Sequence, residues 1–287
     1  MHFFQTYTKS IFLASALSSV LGLAACGGNN SGTGEIKTGL FVDSPVEGLT
    51  YVSGKTTGKT DAAGTYKYED GQAVTFKVGD ITLATIYPKA LVTPIDLVTG
   101  SVDETNATVT NIAIFLQTID DDNNPSNGIK ITAAADAAAK GKIMSFTVAT
   151  ATYVADTTNL ATFAAMTAAT SAGAHDLVTD VNAQAQLRPI LLARFIGNYS
   201  GTYTGTSAGS FSLSVDAAGA VTGTGQTGTS ASYAITGTVL SKGAITFTAP
   251  DGTAFTGTVA PDTGALTGTW TLATPAGSGA FTGGKAK

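Results

Sequence analysis

The chain is poor in the residues from which most catalytic and metal sites are built. Its 287 residues include one cysteine, one tryptophan and two histidines, and only 12% are Asp, Glu, Lys or Arg. An average soluble domain carries roughly 25% of these charged residues. A single cysteine excludes an intramolecular disulfide framework and any multi-cysteine zinc or iron–sulfur site. The formal net charge of -5 argues against a nucleic-acid partner and against a polybasic membrane patch.

The first 25 residues predict a lipoprotein signal peptide. Lys9 precedes an apolar stretch from Ile11 to Leu23, which has the length of a signal-peptide core and is too short to span a membrane as a helix. Leu23-Ala24-Ala25-Cys26 resembles the bacterial lipobox. That resemblance implies cleavage before Cys26 and diacylation of its thiol with palmitate-type chains. The alternative is an ordinary secretory signal in which the small residues are coincidental.

The lipobox implies a location in the cell envelope. Each acyl CH₂ buried in the bilayer contributes about 0.8 kcal/mol, so several chains hold a protein stably. The residues after Cys26 lack the aspartate that keeps many enterobacterial lipoproteins at the inner membrane, which favours the outer membrane. Residues 26–35 consist mostly of small polar residues and predict a flexible tether. We expect a lipid-anchored outer-membrane protein, and the alternatives of surface exposure and a periplasmic orientation stay open.

Residues 36–197 predict a small antiparallel β-sandwich module packed with a helical segment. Between about residues 35 and 100, β-type runs alternate with Asp, Gly and Pro turns. These runs are Leu40–Val42, Leu49–Val52, Thr65–Tyr68, Val74–Val78 and Ile81–Ile86. Thr60–Tyr66 resembles the T-D-x-x-G-x-Y signature of carboxypeptidase-regulatory-like and Cna-B-type sandwiches, which are typically stalks and spacers. Gly39–Tyr51 resembles the opening of a module common in bacterial surface lipoproteins, and this likeness covers about residues 36–195.

The second half of this region predicts helices. Apolar residues at helical spacing form one face of the first helix, namely Val109, Ile112, Leu116 and Ile119. Asp103 and Glu104 are expected in its first turn, where negative charge suits the helix dipole. Pro189 is expected to kink or divide the last helix. The further helices are expected at Ile131–Lys142, Asn159–Ala172 and Asp176–Ile196, with a short strand or a turn at Ile143–Val154.

Residues 198–287 predict an eight-stranded antiparallel up-and-down β barrel or sandwich. They hold half of the chain's 34 glycines, and an apolar-Thr-Gly-Thr motif recurs at unequal spacing, which argues against a solenoid. Alternation in Phe211–Val215 and Ala244–Thr248 indicates strands with one apolar face. Closure into a barrel would remove both sheet edges. The pattern resembles the barrels of transferrin-binding-protein-B-like surface lipoproteins, as does the glycine-aromatic-glycine strand Gly279–Gly284. That resemblance implies ligand capture.

One acidic loop is a candidate calcium site. Its oxygen-bearing side chains are Asp120, Asp122, Asn124 and Asn127. The first three alternate in the manner of the first ligands of an EF-hand loop. Pro125 and Ile131 stand where an EF-hand needs glycine and a bidentate glutamate, so an EF-hand is excluded. The alternatives are a simpler calcium loop and a solvated acidic loop that ends the helix.

Other polar and aromatic residues suggest little chemistry. His175 lies near Ser171, Asp176 and Asp180 without a recognised catalytic spacing, and is expected to lead into a helix capped by aspartate. The acidic pairs Glu69-Asp70 and Asp103-Glu104 are expected to be solvated. Four aromatic residues predict either a platform for a sugar or polymer or an ordinary strand core, and these are Tyr199, Tyr203, Tyr233 and Trp270.

These observations together predict a non-enzymatic envelope lipoprotein with a binding, adhesion or structural role. The expected partners are the membrane, through the lipid anchor, and a protein or polysaccharide ligand, with calcium as the one candidate cofactor. Two alternatives remain. The first is capture of a ligand by the C-terminal barrel, and the second is an enzyme accessory subunit or weak hydrolase in the helical segment.

Overall fold

A computed structural model describes residues 34–286. The predicted signal peptide, Cys26 and most of the predicted tether lie outside these residues. The described chain is α+β, with an N-terminal module of short strands and helices followed by a closed barrel. None of the helices between residues 34 and 286 is long and apolar enough to span a bilayer.

The N-terminal module is built from short strands, and all five predicted strand runs are present. An antiparallel sheet has the order β4-β3-β6-β7, and a second sheet has the order β5-β1-β8, in which β1 pairs in parallel with β8. Strands β2 and β9 form a separate parallel pair. The strands are β1 (Ile36–Phe41), β2 (Val46–Glu47), β3 (Thr50–Ser53), β4 (Thr56–Lys59), β5 (Thr65–Glu69), β6 (Val74–Val78), β7 (Ile81–Ile86), β8 (Leu91–Val92) and β9 (Ile129–Lys130).

Aromatic rings join the two sheets. The ring centroid of Phe76 on β6 lies 4.9 Å from that of Phe41 on β1 and 5.0 Å from that of Tyr66 on β5. Such edge-to-face pairs add about 0.5–1.5 kcal/mol to the burial of their apolar area. The side chain of Asp61 accepts the N–H groups of Ala63 and Thr65. This turn leads into β5, so that Tyr66 is fully buried, as its motif predicts.

The helices cover the module and share its core. The apolar residues that the spacing predicts are buried, but so is every other residue from Val109 to Thr118, so α1 is enclosed on all sides rather than on one apolar face. The Phe115 ring lies 5.5 Å from Phe146 and 5.9 Å from Phe163, between centroids. The helices are α1 (Ala107–Thr118), α2 (Ala133–Ala138), α3 (Thr150–Ala155), α4 (Thr157–Thr167) and α5 (Asp180–Leu192), with a 3₁₀ turn at Pro94–Leu97.

Two expectations about the helices are wrong in detail, and a third is wrong in one of its two alternatives. Asn106, rather than the acidic pair before it, begins α1, because its side chain accepts the N–H groups of the first turn. Residues 143–154 contain the short helix α3 and no strand. Pro189 does not divide α5, which runs unbroken to Leu192, and the Pro189 carbonyl accepts the N–H of Ala193 at 3.0 Å.

The C-terminal part is a closed eight-stranded antiparallel barrel, which confirms the barrel alternative. Each strand pairs with the next along the chain, and the last strand pairs with the first. The first barrel strand begins at Gly197, one residue before the predicted boundary. The strands are β10 (Gly197–Gly205), β11 (Gly209–Val215), β12 (Ala220–Thr227), β13 (Tyr233–Val239), β14 (Ala244–Thr248), β15 (Ala254–Val259), β16 (Ala265–Leu272) and β17 (Gly277–Lys285).

The apolar-Thr-Gly-Thr motif has a packing explanation. In β15, Thr256 and Thr258 are exposed, whereas Gly257 between them faces the interior. A Cβ atom added at Gly257 would lie 2.7 Å from the Phe281 ring, and one added at Gly268 would lie 2.5 Å from it. Glycine at these positions therefore leaves room for an aromatic ring inside a narrow barrel.

Aromatic rings occupy the middle of the barrel. Phe247 stacks on Phe255 with a centroid separation of 4.5 Å, and the Phe281 ring lies 5.4 Å and 5.7 Å from these two. An eight-stranded barrel has an interior that side chains alone can fill. The packed rings disfavour capture of a ligand in the centre of the barrel, so a ligand would have to bind at one of its ends.

One end of the barrel, formed by the turns 216–219, 240–243 and 260–264, is sealed by the N-terminal module. Leu192 and Phe195, at and just after the end of α5, are fully buried in the same hydrophobic cluster as the barrel interior. The Lys242 ammonium group donates to the carbonyl oxygens of Ile95 and Val98 at 3.3 and 3.0 Å. We call this end the sealed end.

Glu104 connects the module to the sealed end. One of its carboxylate oxygens accepts a hydrogen bond from Arg188 at 2.8 Å, and the other accepts one from the Ser241 hydroxyl. Glu104 is 2% exposed. The expectation that the acidic pairs are solvated is therefore wrong for Glu104. It is also wrong for Glu69, which is buried and accepts the N–H of Lys55.

Candidate functional site

The acidic loop after α1 is held by its own hydrogen bonds, and it brings the four predicted ligands together. Asp120 is 1% exposed, and its two carboxylate oxygens accept the N–H groups of Lys130 and Asn124 at 2.8 and 2.9 Å. Asp122 accepts the same Asn124 N–H at 3.0 Å and the side-chain amide of Asn127 at 2.8 Å. The loop borders a cavity of about 280 Å³ that is also lined by residues of the sheet module.

The electrostatics of the loop are those of two neighbouring carboxylates. Burial raises the pKa of Asp120, and the adjacent Asp122 raises it further. The hydrogen bond from Asn127 holds the pKa of Asp122 below its usual range. Either a shared proton or a bound cation would relieve the repulsion between the two groups.

The donor set only partly matches a calcium site. N–H groups, rather than further oxygen ligands, face both carboxylates. Asp121 bonds elsewhere, to the backbone of Ser171 at 2.8 Å and to the Lys130 ammonium group at 3.1 Å. Between residues 34 and 286, no three His, Cys, Asp or Glu side chains are grouped to hold a metal ion. Calcium binding by this loop stays a prediction.

The contacts of His175 indicate a structural role for its side chain. Its ring nitrogens lie 2.7 Å from the carbonyl oxygen of Gly173 and 2.9 Å from that of Thr118. The Ser171 hydroxyl donates to the carbonyl of Asp121 at 2.7 Å rather than to the histidine. The expected aspartate cap is wrong, because Thr179 caps α5. The geometry therefore offers no nucleophile paired with a base at this position.

Two short stretches of the barrel have the residue pattern of a known signature, one catalytic and one nucleotide-binding. Gly205–Gly209 reads G-x-S-x-G, and Gly223–Gly228 reads G-x-G-x-x-G. The first covers the turn between β10 and β11, and the second covers the end of β12. Both signatures require a strand-to-helix turn, which a β-hairpin does not provide. Neither pattern carries its usual chemistry here.

Sequence reasoning missed a buried carboxyl group. Asp43 is fully buried, and Gln117 donates its amide to both carboxyl oxygens, at 3.2 and 3.3 Å. Burial raises the pKa of Asp43 to about 7, and the Gln117 hydrogen bond opposes this shift. The Gln117 carbonyl oxygen has no partner among residues 34–286. Asp43 resembles an ordinary turn residue in the sequence, and its partner lies 74 positions away, so no local signal identifies it.

The end of the barrel opposite the sealed end opens into a cavity. We call this end, formed by the loops 206–208, 228–232, 249–253 and 273–276, the barrel mouth. The cavity has a volume of about 270 Å³. Its walls combine aromatic rings with hydroxyl groups and one carboxylate, and include Tyr203, Thr227, Tyr233, Asp251, Phe255 and Trp270.

Three of the four residues of the predicted aromatic platform meet at the barrel mouth. The Tyr203 ring is nearly perpendicular to the Trp270 ring, with centroids 5.8 Å apart. The Tyr203 hydroxyl lies 3.2 Å from the Tyr233 hydroxyl and 2.5 Å from that of Thr227. Tyr199 lies apart from the others, because it is buried and donates to the Phe195 carbonyl at the sealed end.

The electrostatics of the mouth depend on few groups. Burial raises the pKa of Tyr233 to about 12, and the neighbouring Tyr203 hydroxyl and Asp251 carboxylate add to this shift. The Trp270 indole N–H donates to the carbonyl of Thr204 at 3.0 Å, which fixes the orientation of the ring. The mouth is thus a concave, partly aromatic site with a few fixed polar groups, as small-molecule sites commonly are.

Comparison of the chain with protein-family models, with curated protein sequences and with solved structures finds no match.

Calcium binding by the acidic loop predicts a thermal shift. A calcium concentration about a hundredfold above Kd should raise the Tm by about 5 °C relative to EDTA, because the ion would bind only the folded loop. Asp122→Ala should abolish this shift, and Asp103→Ala should retain it. Calorimetry with and without calcium measures both. Equal Tm values of the wild type in calcium and EDTA would contradict the prediction.

The buried Asp43 predicts a stability that falls as the pH rises. Between about pH 4 and pH 7 the folded state keeps a proton on Asp43 that the unfolded state has lost. The free energy of unfolding should therefore fall by on the order of 4 kcal/mol across this window. Asp43→Asn imitates the protonated form and should remove that slope in urea unfolding, whereas the exposed Asp70→Asn should leave it. Parallel profiles for the wild type and Asp43→Asn would disprove this.

Proposed function

We propose that the chain is a non-enzymatic lipoprotein of the bacterial outer membrane that acts by binding, and that the barrel mouth is its binding end. The observation that carries the proposal is the difference between the two ends of the barrel. Leu192, Phe195 and Lys242 make one end an interface within the protein. The other end opens into the cavity beside Tyr233 and Trp270.

The chemistry of the mouth supports binding rather than catalysis. Ser207 borders the cavity, but residues 198–287 contain no histidine or glutamate, and within the described residues Asp251, the carboxylate that lines the cavity, bonds to the Thr253 N–H and not to Ser207. Proton transfer by a tuned acid–base pair needs such a group within hydrogen-bond reach. A fixed aromatic wall with hydroxyl groups supplies contact area and orientation, which are the requirements of a ligand site.

The module and the anchor complete the proposal. The lipobox would tether the chain at Cys26, and the N-terminal module would act as a spacer that carries the barrel. The ligand could be a free small molecule. It could instead be an exposed group of a polysaccharide or protein, and in that case the protein would act as an adhesin. A weak hydrolase in the helical segment has no comparable support, since both ring nitrogens of His175 lie against backbone carbonyls.

The anchor predicts where the protein is found. The wild type should fractionate with the outer membrane, and Cys26→Ser should lose the acyl chains and appear in the soluble or unprocessed fraction. Ser31→Ala, a neighbouring polar substitution, should behave as the wild type. Cell fractionation with immunoblotting measures this, and protease treatment of intact cells then reports surface exposure. A wild-type protein found only in the soluble fraction would refute the anchor.

Trp270 is the only tryptophan of the chain, so its fluorescence reports on the mouth. We expect a saturable change with at least one member of a panel of glucose, galactose, N-acetylglucosamine, cellobiose and choline. Tyr233→Ala removes a wall of the cavity and should weaken that binding about tenfold, or about 1.4 kcal/mol. Tyr87→Ala, at a side chain that is 78% exposed in the module, is the control. Absence of any saturable change would count against the mouth as a binding end.

A further inference from the structure

The ionisable residues of the barrel are distributed unequally between its two ends. Four of its charged residues lie in turns or at a strand terminus of the sealed end, and these are Asp216, Lys242, Asp262 and Lys285. The loops of the mouth contain a single Asp, Glu, Lys, Arg or His residue, Asp251. The field at the mouth is therefore set by one carboxylate, and no basic group of these loops opposes it.

Asp251 is held in place by its turn. One carboxylate oxygen accepts the N–H of Thr253 at 2.9 Å, in the loop between β14 and β15. The other oxygen has no hydrogen-bond partner within the part of the chain that the structure describes. The residue borders the cavity. It thus presents a fixed negative charge at the rim.

Aromatic rings line the same cavity as this carboxylate. Tyr203 stands nearly perpendicular to both Phe255 and Trp270, with interplanar angles of 76° and 77° and centroid distances of 5.7 and 5.8 Å. The face of an aromatic ring carries partial negative charge and attracts cations, most strongly for tryptophan. Differently oriented rings together with a carboxylate are the components of a site for an alkylated ammonium group.

We propose that the barrel mouth binds a small organic cation through its quaternary ammonium group, of the kind that choline carries. This inference rests on the proposed function. Asp251 would pair with the positive charge, while Trp270 and Tyr203 would contact the methyl groups. The cavity of about 270 Å³ lies below the range of about 300–1,000 Å³ that is usual for small-molecule sites. Its size suits a headgroup better than a longer ligand.

The other ligand classes fit the mouth less well. An anion would meet Asp251 and no basic side chain of the mouth loops. A neutral sugar would pair its hydroxyl groups with the polar groups of the lining, among which Asp251 is the one charged or amide side chain. The remaining polar groups are hydroxyls, and those of Tyr203, Tyr233 and Thr227 already bond to one another.

Charge recognition can be separated from shape by one pair of probes. Choline and its neutral isostere 3,3-dimethylbutanol have nearly the same shape and differ in charge. We expect saturable Trp270 fluorescence changes with choline and tetramethylammonium, and at least tenfold weaker binding of 3,3-dimethylbutanol by the full chain. Added salt should weaken choline binding and leave that of the neutral alcohol unchanged.

Matched variants assign the effect to Asp251. Asp251→Asn keeps the oxygen that accepts the Thr253 N–H, so the turn should survive while the charge is lost. We expect it to raise the Kd for choline fivefold to tenfold and to leave the Kd for 3,3-dimethylbutanol unchanged. Asp262→Asn makes the same change in the similar Pro-Asp turn at the sealed end, and should leave both values at wild-type levels.

The outcomes separate this inference from the proposed function. Equal affinity for choline and its neutral isostere, or unchanged choline binding by Asp251→Asn, would overturn cation recognition. Saturable binding of a sugar without binding of choline would also overturn it, and would leave the mouth as the binding end. No saturable change with any of these probes would overturn both.

Discussion

The contact of Leu192 and Phe195 with the barrel interior decides which end of the barrel is available to solvent. Without this contact the two ends would be similar rings of short turns. The polar bonds around it, from Lys242 to carbonyl oxygens and from Arg188 and Ser241 to Glu104, are made by charges that the chain has in short supply. Loss of Arg188 or Ser241 would leave the buried Glu104 carboxylate with one partner fewer. The contact between the N-terminal module and the sealed end therefore combines apolar packing with specific polar bonds.

The placement of the few charged residues in the barrel bears on which ligand could bind. Most of the charged residues of the barrel lie at the sealed end, whereas its outer face carries mainly threonines and serines and its interior aromatic and aliphatic side chains. A single carboxylate at the mouth is consequently not screened by neighbouring charges of the same loops. In a chain of ordinary charge content, the same aspartate would be one of many and would carry little information about a ligand.

The sequence predicts local features well and distant contacts poorly. Period-two alternation and Asp/Gly turns identify all eight barrel strands, but alternation is the same in a sandwich, so closure between β10 and β17 could not be derived from it. The grouping of Asp120 and Asp122 with Asn124 and Asn127 is predictable because the hydrogen-bond partners of these two carboxylates lie within ten positions. Glu104 and Ser241 are 137 positions apart, and Asp43 and Gln117 are 74 apart. Burial at such positions follows from tertiary packing, and no local pattern encodes it.

The central claim is that the barrel mouth is where a ligand binds, and a chemical-shift map of the ¹⁵N-labelled protein with tetramethylammonium chloride tests it most directly. The account predicts saturable shifts in the loops 206–208, 228–232, 249–253 and 273–276, and in the single indole N–H resonance of Trp270. Shifts concentrated in the turns 216–219 and 240–243, or in the acidic loop around Asp120 and Asp122, would contradict it.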